Sequence, residues 1–200
     1  MRIAVIGTGR MGTGLATALS IAGHQVVFGS RDPEAAGEAV RKAGAAATTL
    51  SEAVRDAEIV VLAIPWVAVE ETLPQLGDLT AKVVLDITNP YVGGRFQPPT
   101  DSSTTERIQE WAPGARVVKG FNHVYAQNLT RPEAGGQAAS VMLAGDDAEA
   151  KDTIAGLASD IGFDPVDVGP AGAARALTDL LPVLGGLGLG PDRPLKVLRR

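Results

Sequence analysis

Residues 7–12 read Gly7-Thr8-Gly9-Arg10-Met11-Gly12, a G-x-G-x-x-G run placed directly after the apolar stretch Ile3-Ala4-Val5-Ile6 and directly before an apolar-periodic segment. No other feature of the chain restricts its fold as much. The first glycine permits a tight turn after a strand, the second lets a pyrophosphate approach the backbone, and the third lets the following helix pack closely on that strand. A helix that starts there offers unpaired N–H groups and a partial positive charge to an anion. Such a run is weak evidence alone, but here a strand precedes it, a helix follows it and a second strand candidate comes at the expected distance.

The rest of the chain repeats the same alternation. Short Val- and Ile-rich runs at 2–6, 25–29, 58–64, 82–87, 115–119, 139–144 and 164–168 read as strands. Ala- and Leu-rich segments at 11–22, 34–43, 50–56, 66–76, 148–161 and 172–184 read as helices, with Pro182 bending or ending the last. Asp32-Pro33-Glu34 offers a cap, a first-position proline and an acid; Thr49 with Glu52, Ser103 with Glu106 and Asp146 with Glu149 have capping-box spacing or its Asp equivalent. This pattern predicts an α/β fold, a Rossmann doubly wound, mainly parallel sheet with a small C-terminal α/β annex. We expect residues 1–138 to form the dinucleotide-binding domain and residues 139–200 the annex packed on it. Two turn-rich stretches interrupt the pattern: 89–104, read as a long loop, and 185–194.

Composition narrows the chemistry. The 200 residues hold no cysteine and two histidines, which removes disulfides, thiolate nucleophiles and Cys- or His-rich metal sites, so no metal is expected. With 18 Lys and Arg against 23 Asp and Glu, the net charge of −5 speaks against nucleic acid as a partner. No signal-peptide or membrane-spanning run is visible, and the expectation is a soluble cytoplasmic protein. The 24 glycines and 13 prolines are a surplus that must sit in turns and close approaches. No Walker lysine follows the glycine loop and no G-x-S-x-G elbow occurs.

The end of the second strand separates NAD from NADP, because a carboxylate there bonds the ribose 2′-hydroxyl and repels a 2′-phosphate. This chain has Gly29-Ser30-Arg31, a hydroxyl and a guanidinium suited to a phosphate, with Asp32 better used as a cap. NADP(H) is therefore the expected cofactor, with Gly7, Gly9, Arg10, Gly12, Ser30 and Arg31 as binding residues. Ligands of open α/β sheets lie beyond the carboxyl ends of the strands. Ile64 and Pro65 end one strand, Asn89 and Pro90 another, and Lys119-Gly120-Phe121-Asn122-His123 a third. The first two endings face the region where a nicotinamide would arrive, with Asn89 a candidate to bond its carboxamide or ribose; each residue reads nearly as well as an ordinary strand-ending turn. Trp66 reads equally as a stacking wall or as core. His123 is a candidate to orient an acceptor or supply a proton, and His24 is read as structural.

These motifs, with Val61-Leu62-Ala63-Ile64-Pro65-Trp66, Asp86-Ile87-Thr88-Asn89-Pro90, Ala144-Gly145-Asp146-Asp147 and Asp167-Val168-Gly169-Pro170 leading to Arg175, run in order over nearly the whole chain. Together they resemble the NADP oxidoreductases that use coenzyme F420, and Lys-Gly-Phe-Asn-His is similar to the bacterial branch, usually Lys-Ala-Phe-Asn-Thr. The resemblance implies reversible hydride transfer between NADP(H) and F420 as co-substrate and a homodimer. It also implies Thr8, Gly9, Arg10, Met11, Ser30 and Arg31 on the adenosine and phosphate half, Ile64, Pro65, Asn89 and Pro90 bordering the nicotinamide, and Asn122, His123 and Arg175 nearer the acceptor. F420 carries a phosphate and a polyglutamate tail, for which Arg95, Arg131 and Arg175 are the available cations. Residues 171–174, Ala-Gly-Ala-Ala, lack the polar side chains of the archaeal enzymes before the arginine. Two other readings stand beside it: an NADPH-dependent reductase of a flavin, quinone, metal chelate or imine, and a non-catalytic NADP-binding regulator.

Overall fold

The computed structural model describes residues 1–198. Six parallel strands form the central sheet: β1 (Arg2–Ile6), β2 (Gln25–Gly29), β3 (Ala46–Thr48), β4 (Ile59–Leu62), β5 (Val83–Asp86) and β8 (Arg116–Lys119). Their order, β3-β2-β1-β4-β5-β8, reverses direction between β1 and β4, and that point opens a crevice at the carboxyl ends. The sheet is buried on both faces because β1, β4 and β5 are apolar at every position except Arg2 and Asp86. Alternate residues divide between two cores. Ile3, Val5, Ile59, Val61, Leu85 and Val118 meet helices α1 (Arg10–Ile21), α2 (Gly37–Ala43) and α6 (Ala148–Asp160). Ala4, Ile6, Val60, Leu62, Val84 and Val117 meet α3 (Leu50–Arg55), the short α4 (Val69–Thr72) and α5 (Thr104–Trp111).

The sequence missed β3, a three-residue edge strand of Ala and Thr too short to show a period. It also read 66–76 as one helix. That segment is α4 between two 3-10 turns, because Pro74 lies inside it and Gly77 stops it with φ +81. In 89–104, expected to be irregular, β6 (Tyr91–Val92) and β7 (Arg95–Phe96) make a small hairpin. Gly93 and Gly94 both have positive φ, as the tight turn requires, and Tyr91 meets Phe96 edge-on at 5.6 Å. A second hairpin pairs β9 (Glu133–Ala134) with β10 (Gln137–Ala138).

The segment after 138 shares the main core. β11 (Ser140–Leu143) and β12 (Asp164–Asp167) pair in parallel, and an antiparallel bridge joins Ala144 to Lys119. Arg116 on β8 grips Asp147 through two bonds of 2.7 Å, and Asp147 also caps α6 by accepting from Ala150 N. The expected cap was Asp146. Its carboxylate instead accepts from Ala171 N, at the start of the turn into α7 (Ala173–Gly186). Pro182 does not end α7; the helix runs four residues past it. The capping boxes at Thr49–Glu52 and Ser103–Glu106 form as expected. Asp32 caps a turn through Ala35 N, while α2 begins later, at Gly37.

Register places Asp86 beside Lys119 on the face that meets the N-terminus of α5. Both side chains are fully buried, 3.0 Å apart. Asp86 accepts from Thr88 N and Oγ1 at one oxygen and from Thr104 and Thr105 hydroxyls at the other. Lys119 Nζ donates to Asp86, to Thr88 O at 2.6 Å and to Thr104 Oγ1. Burial alone would raise the Asp86 pKa, but the Lys119 ammonium and the Thr88 donors outweigh it and hold the carboxyl below its ordinary range.

Removing one member leaves the other buried and unpaired. Lys119→Met and Asp86→Asn are each expected to cost about 3–5 kcal/mol in urea unfolding, and the double variant less than the sum of the two. Acid acts elsewhere as well. Asp147 is held down to about 2 by Arg116 and Ala150 N. Its carboxylate stabilises the fold above the unfolded value near 4 and loses that contribution as pH falls toward 2. Asp147→Asn should flatten the acid limb of the stability curve over that interval.

Candidate functional site

The glycine loop has the geometry its sequence requires. Gly7 sits at φ +114, where a Cβ would lie 2.4 Å from Ala63 O. A Cβ on Gly12 would lie 2.2 Å from Gly7 O, so the first turn of α1 packs directly on the loop. Gly9 is different: a Cβ there would meet no protein atom within 4 Å. Gly9 is the N-cap of α1, so the unpaired N–H groups of that helix start directly after it.

A groove of about 350 Å³ runs from this loop along the β2 end, lined by Gly7, Thr8, Gly9, Ser30, Arg31, Ile64 and Pro65 among others. The sequence reading missed its floor, Leu50, Ala68 and Thr72, which come from α3 and the 66–76 segment. Ser30 Oγ donates to Asp32 O at 2.8 Å and accepts from Asp32 N. Asp32 in turn accepts from Ala35 N. This turn directs Asp32 onto its own backbone and leaves Arg31 exposed at the rim, without an ion pair among the described residues. A 2′-phosphate fits that edge by charge.

A second cleft, about 530 Å³, opens beyond the ends of β5 and β8 and is reached past Arg10 and Met11, which line it too. The Thr88 carbonyl held by Lys119 precedes Asn89. Asn89 Nδ2 donates to Asn122 O at 2.7 Å, and Asn122 Nδ2 donates back to Asn89 Oδ1 at 3.3 Å. Gly120 N donates to Asp86 O, so the two strand ends are stitched together through backbone as well as side chain. Between them Phe121 adopts φ +57, a conformation rare for a bulky residue, held by complete burial of its ring and an edge contact with Phe163 at 5.6 Å.

His123 lies in this cleft with Nε2 3.2 Å from Ser140 O. A carbonyl only accepts, so Nε2 carries the hydrogen and Nδ1 is the bare nitrogen. Burial holds His123 below the ordinary imidazole range, with the Ser140 bond acting the other way. At neutral pH the ring is uncharged and its proton is committed to Ser140.

The other expected residues divide. Asn89, Asn122 and His123 converge in the cleft, and Ile64 and Pro65 lie in the dinucleotide groove. Pro90 lines neither and accepts from Gln97 N through its carbonyl, closing the hairpin. Arg175 also lies outside both. Its guanidinium donates to Thr100 O at 2.6 Å and stands 3.6 Å from Asp179, so it ties α7 to the 89–104 segment. Arg95 and Arg131 do not line the cleft either; the cations there are Arg10 and Arg193. Trp66 stacks on Trp111 at 5.3 Å against the α5-side core. His24 faces Asp160 at 3.2 Å, a structural contact.

Residues 2–90 match the model of the family described as NADP oxidoreductase, coenzyme F420-dependent. The F420-dependent NADP reductase of Methanothermobacter marburgensis is 33% identical, over 94% of this chain and 93% of that protein. This chain belongs to that family. A crystal structure from Arthrobacter sp. FB24, assigned provisionally as an F420-dependent NADP reductase, covers all of both chains with 33% identity and a TM-score of 0.88. Metalloreductase STEAP3 of Rattus norvegicus is 31% identical over 87% of this chain, which spans only 35% of that longer protein. The chain is thus an NADP-dependent oxidoreductase of Rossmann architecture.

Two variants test the groove. Arg31→Ala should raise the NADPH Michaelis constant about ten- to hundredfold and leave NADH within about twofold. Gly12→Ala, with its Cβ on the Gly7 carbonyl, should abolish dinucleotide binding in a fluorescence titration.

Proposed function

We propose that the protein transfers hydride between NADP(H) and coenzyme F420. The observation that carries this reading is the second cleft, which is roomy enough for a second planar ring and whose lining residues Arg10 and Met11 directly follow Gly9 of the first groove in the chain. Bound there, the nicotinamide supplies or accepts the hydride. The remaining work belongs to the chain. Gly7, Thr8, Gly9 and the α1 N-terminus hold the pyrophosphate, and Ser30 with Arg31 selects the 2′-phosphate. Ile64 and Pro65 border the ring on one side and the Asn89–Asn122 pair offers polar edges on the other. Leu181, Leu184 and Leu195 make an apolar wall that limits water around the reacting carbons.

Hydride transfer between two rings depends chiefly on positioning, and this site is built for positioning. His123, neutral and fixed by Ser140 with its Nδ1 3.5 Å from Asn122 Oδ1, helps position the acceptor as part of the cleft wall. The full-length relatedness to an F420-dependent NADP reductase supports this acceptor. A reductase of another acceptor is the second reading, favoured by the 31% identity to a metalloreductase.

Mixing the protein with NADPH and F420, with FMN and a ferric chelate in parallel, decides between them. Loss of deazaflavin absorbance is the expected result; turnover of FMN or the chelate alone would reject F420 as acceptor. His123→Gln should lower kcat by less than about a hundredfold, the lower edge of what a proton-donating group contributes, and a larger loss would mark His123 as an acid.

A further inference from the structure

The second cleft has a charge pattern unlike that of the molecule around it. The chain carries a net charge of −5, yet no carboxylate lines this cleft, and its two charged side chains are Arg10 and Arg193. Arg10 belongs to the glycine loop, directly after Gly9 of the first groove. Arg193 does not. It arrives from the turn-rich stretch near the C-terminus, which the motifs leave without a role.

That stretch is fixed in place. Gly190 and Arg193 exchange both backbone hydrogen bonds, closing a tight turn around Pro191-Asp192. Asn128, 5% exposed, donates from Nδ2 to Pro191 O at 2.8 Å, and Tyr125 OH donates to Leu189 O. Beyond the turn, Ser140 N donates to Leu195 O, Val197 N donates to Ser140 Oγ, and Lys196 pairs with Asp164 at 2.7 Å. The chain therefore holds a solvent-exposed arginine, which makes no ion pair with the described residues, at the mouth of an apolar-walled cleft. An unpaired guanidinium there is suited to a bidentate contact with an oxyanion.

We infer that Arg193 is the specificity-determining residue of the acceptor cleft, and that the acceptor is a planar ring system carrying a phosphate or similar oxyanion. The inference rests on the second cleft being the acceptor site; it does not require that the ring be a deazaflavin. Leu181, Leu184, Leu189 and Leu195 face the ring, and Arg193 reads the anion at the open end.

The test compares matched pairs that differ in phosphate alone or in the phosphate-bearing tail: FMN with riboflavin, and F420 with its phosphate-free riboside. Affinities are measured by fluorescence on protein saturated with NADP⁺. The phosphorylated member of at least one pair should bind about tenfold tighter or more at low salt, with the preference shrinking as salt is added. Arg193→Ala should bring the ratio to about one, Arg193→Lys should keep part of it, and NADP⁺ affinity should stay within about twofold in both. Equal binding within both pairs, a ratio that survives Arg193→Ala, failure of every probe to bind, or a parallel fall in NADP⁺ affinity would each overturn the inference. Preference for FMN over riboflavin without any F420 turnover would support it while rejecting the deazaflavin reading.

Discussion

A single buried ion pair organises the part of this molecule that matters for chemistry. Asp86 and Lys119 sit at matched positions on β5 and β8, and neither retains contact with water. Such a pair is a poor source of net stability, because desolvation offsets most of the attraction. What it supplies is alignment. Lys119 spends all three hydrogens on Asp86, Thr88 O and Thr104, and Asp86 uses both oxygens on Thr88 and on the first turn of α5. Two strand ends and one helix start are thereby brought to one point, immediately below Asn89 and Asn122.

From that point the site divides by task. The first groove is made of residues from the first 72 positions: the glycine loop, the Ser30–Asp32 turn in which Asp32 accepts from Ala35 N, and apolar side chains of the neighbouring elements. The adjoining cleft is made of side chains from widely separated parts of the chain. Its amides come from β5 and β8, its apolar wall from α7, and its second cation from the turn after α7.

The same division explains what the sequence made legible. Gly7, Gly9 and Gly12 are local, and so are Ser30 and Arg31, so short-range motifs were enough to pick them out. Strand positions followed from β-branched runs in a sheet buried on both faces. β3 escaped because three small residues carry no period, and the 66–76 helix broke because Pro74 and Gly77 override its apolar pattern. Arg175 was assigned by its place in a motif, but its bond to Thr100 O depends on how α7 lies against the 89–104 segment. Arg193 and the α7 leucines left no local signal, because only the folded path of the C-terminal stretch brings them to the cleft. Asp86 and Lys119 did leave one, opposite charges at the ends of apolar strands. Reading it required knowing that β5 and β8 are neighbours.

The path of that last stretch has a consequence for how the protein comes into being. Every residue lining the dinucleotide groove has been synthesised by Thr72, whereas the adjoining cleft is incomplete until Leu195 has left the ribosome and paired with Ser140. A chain interrupted between Leu184 and Leu195 would keep every residue that lines the first groove and lose residues that line the second cleft.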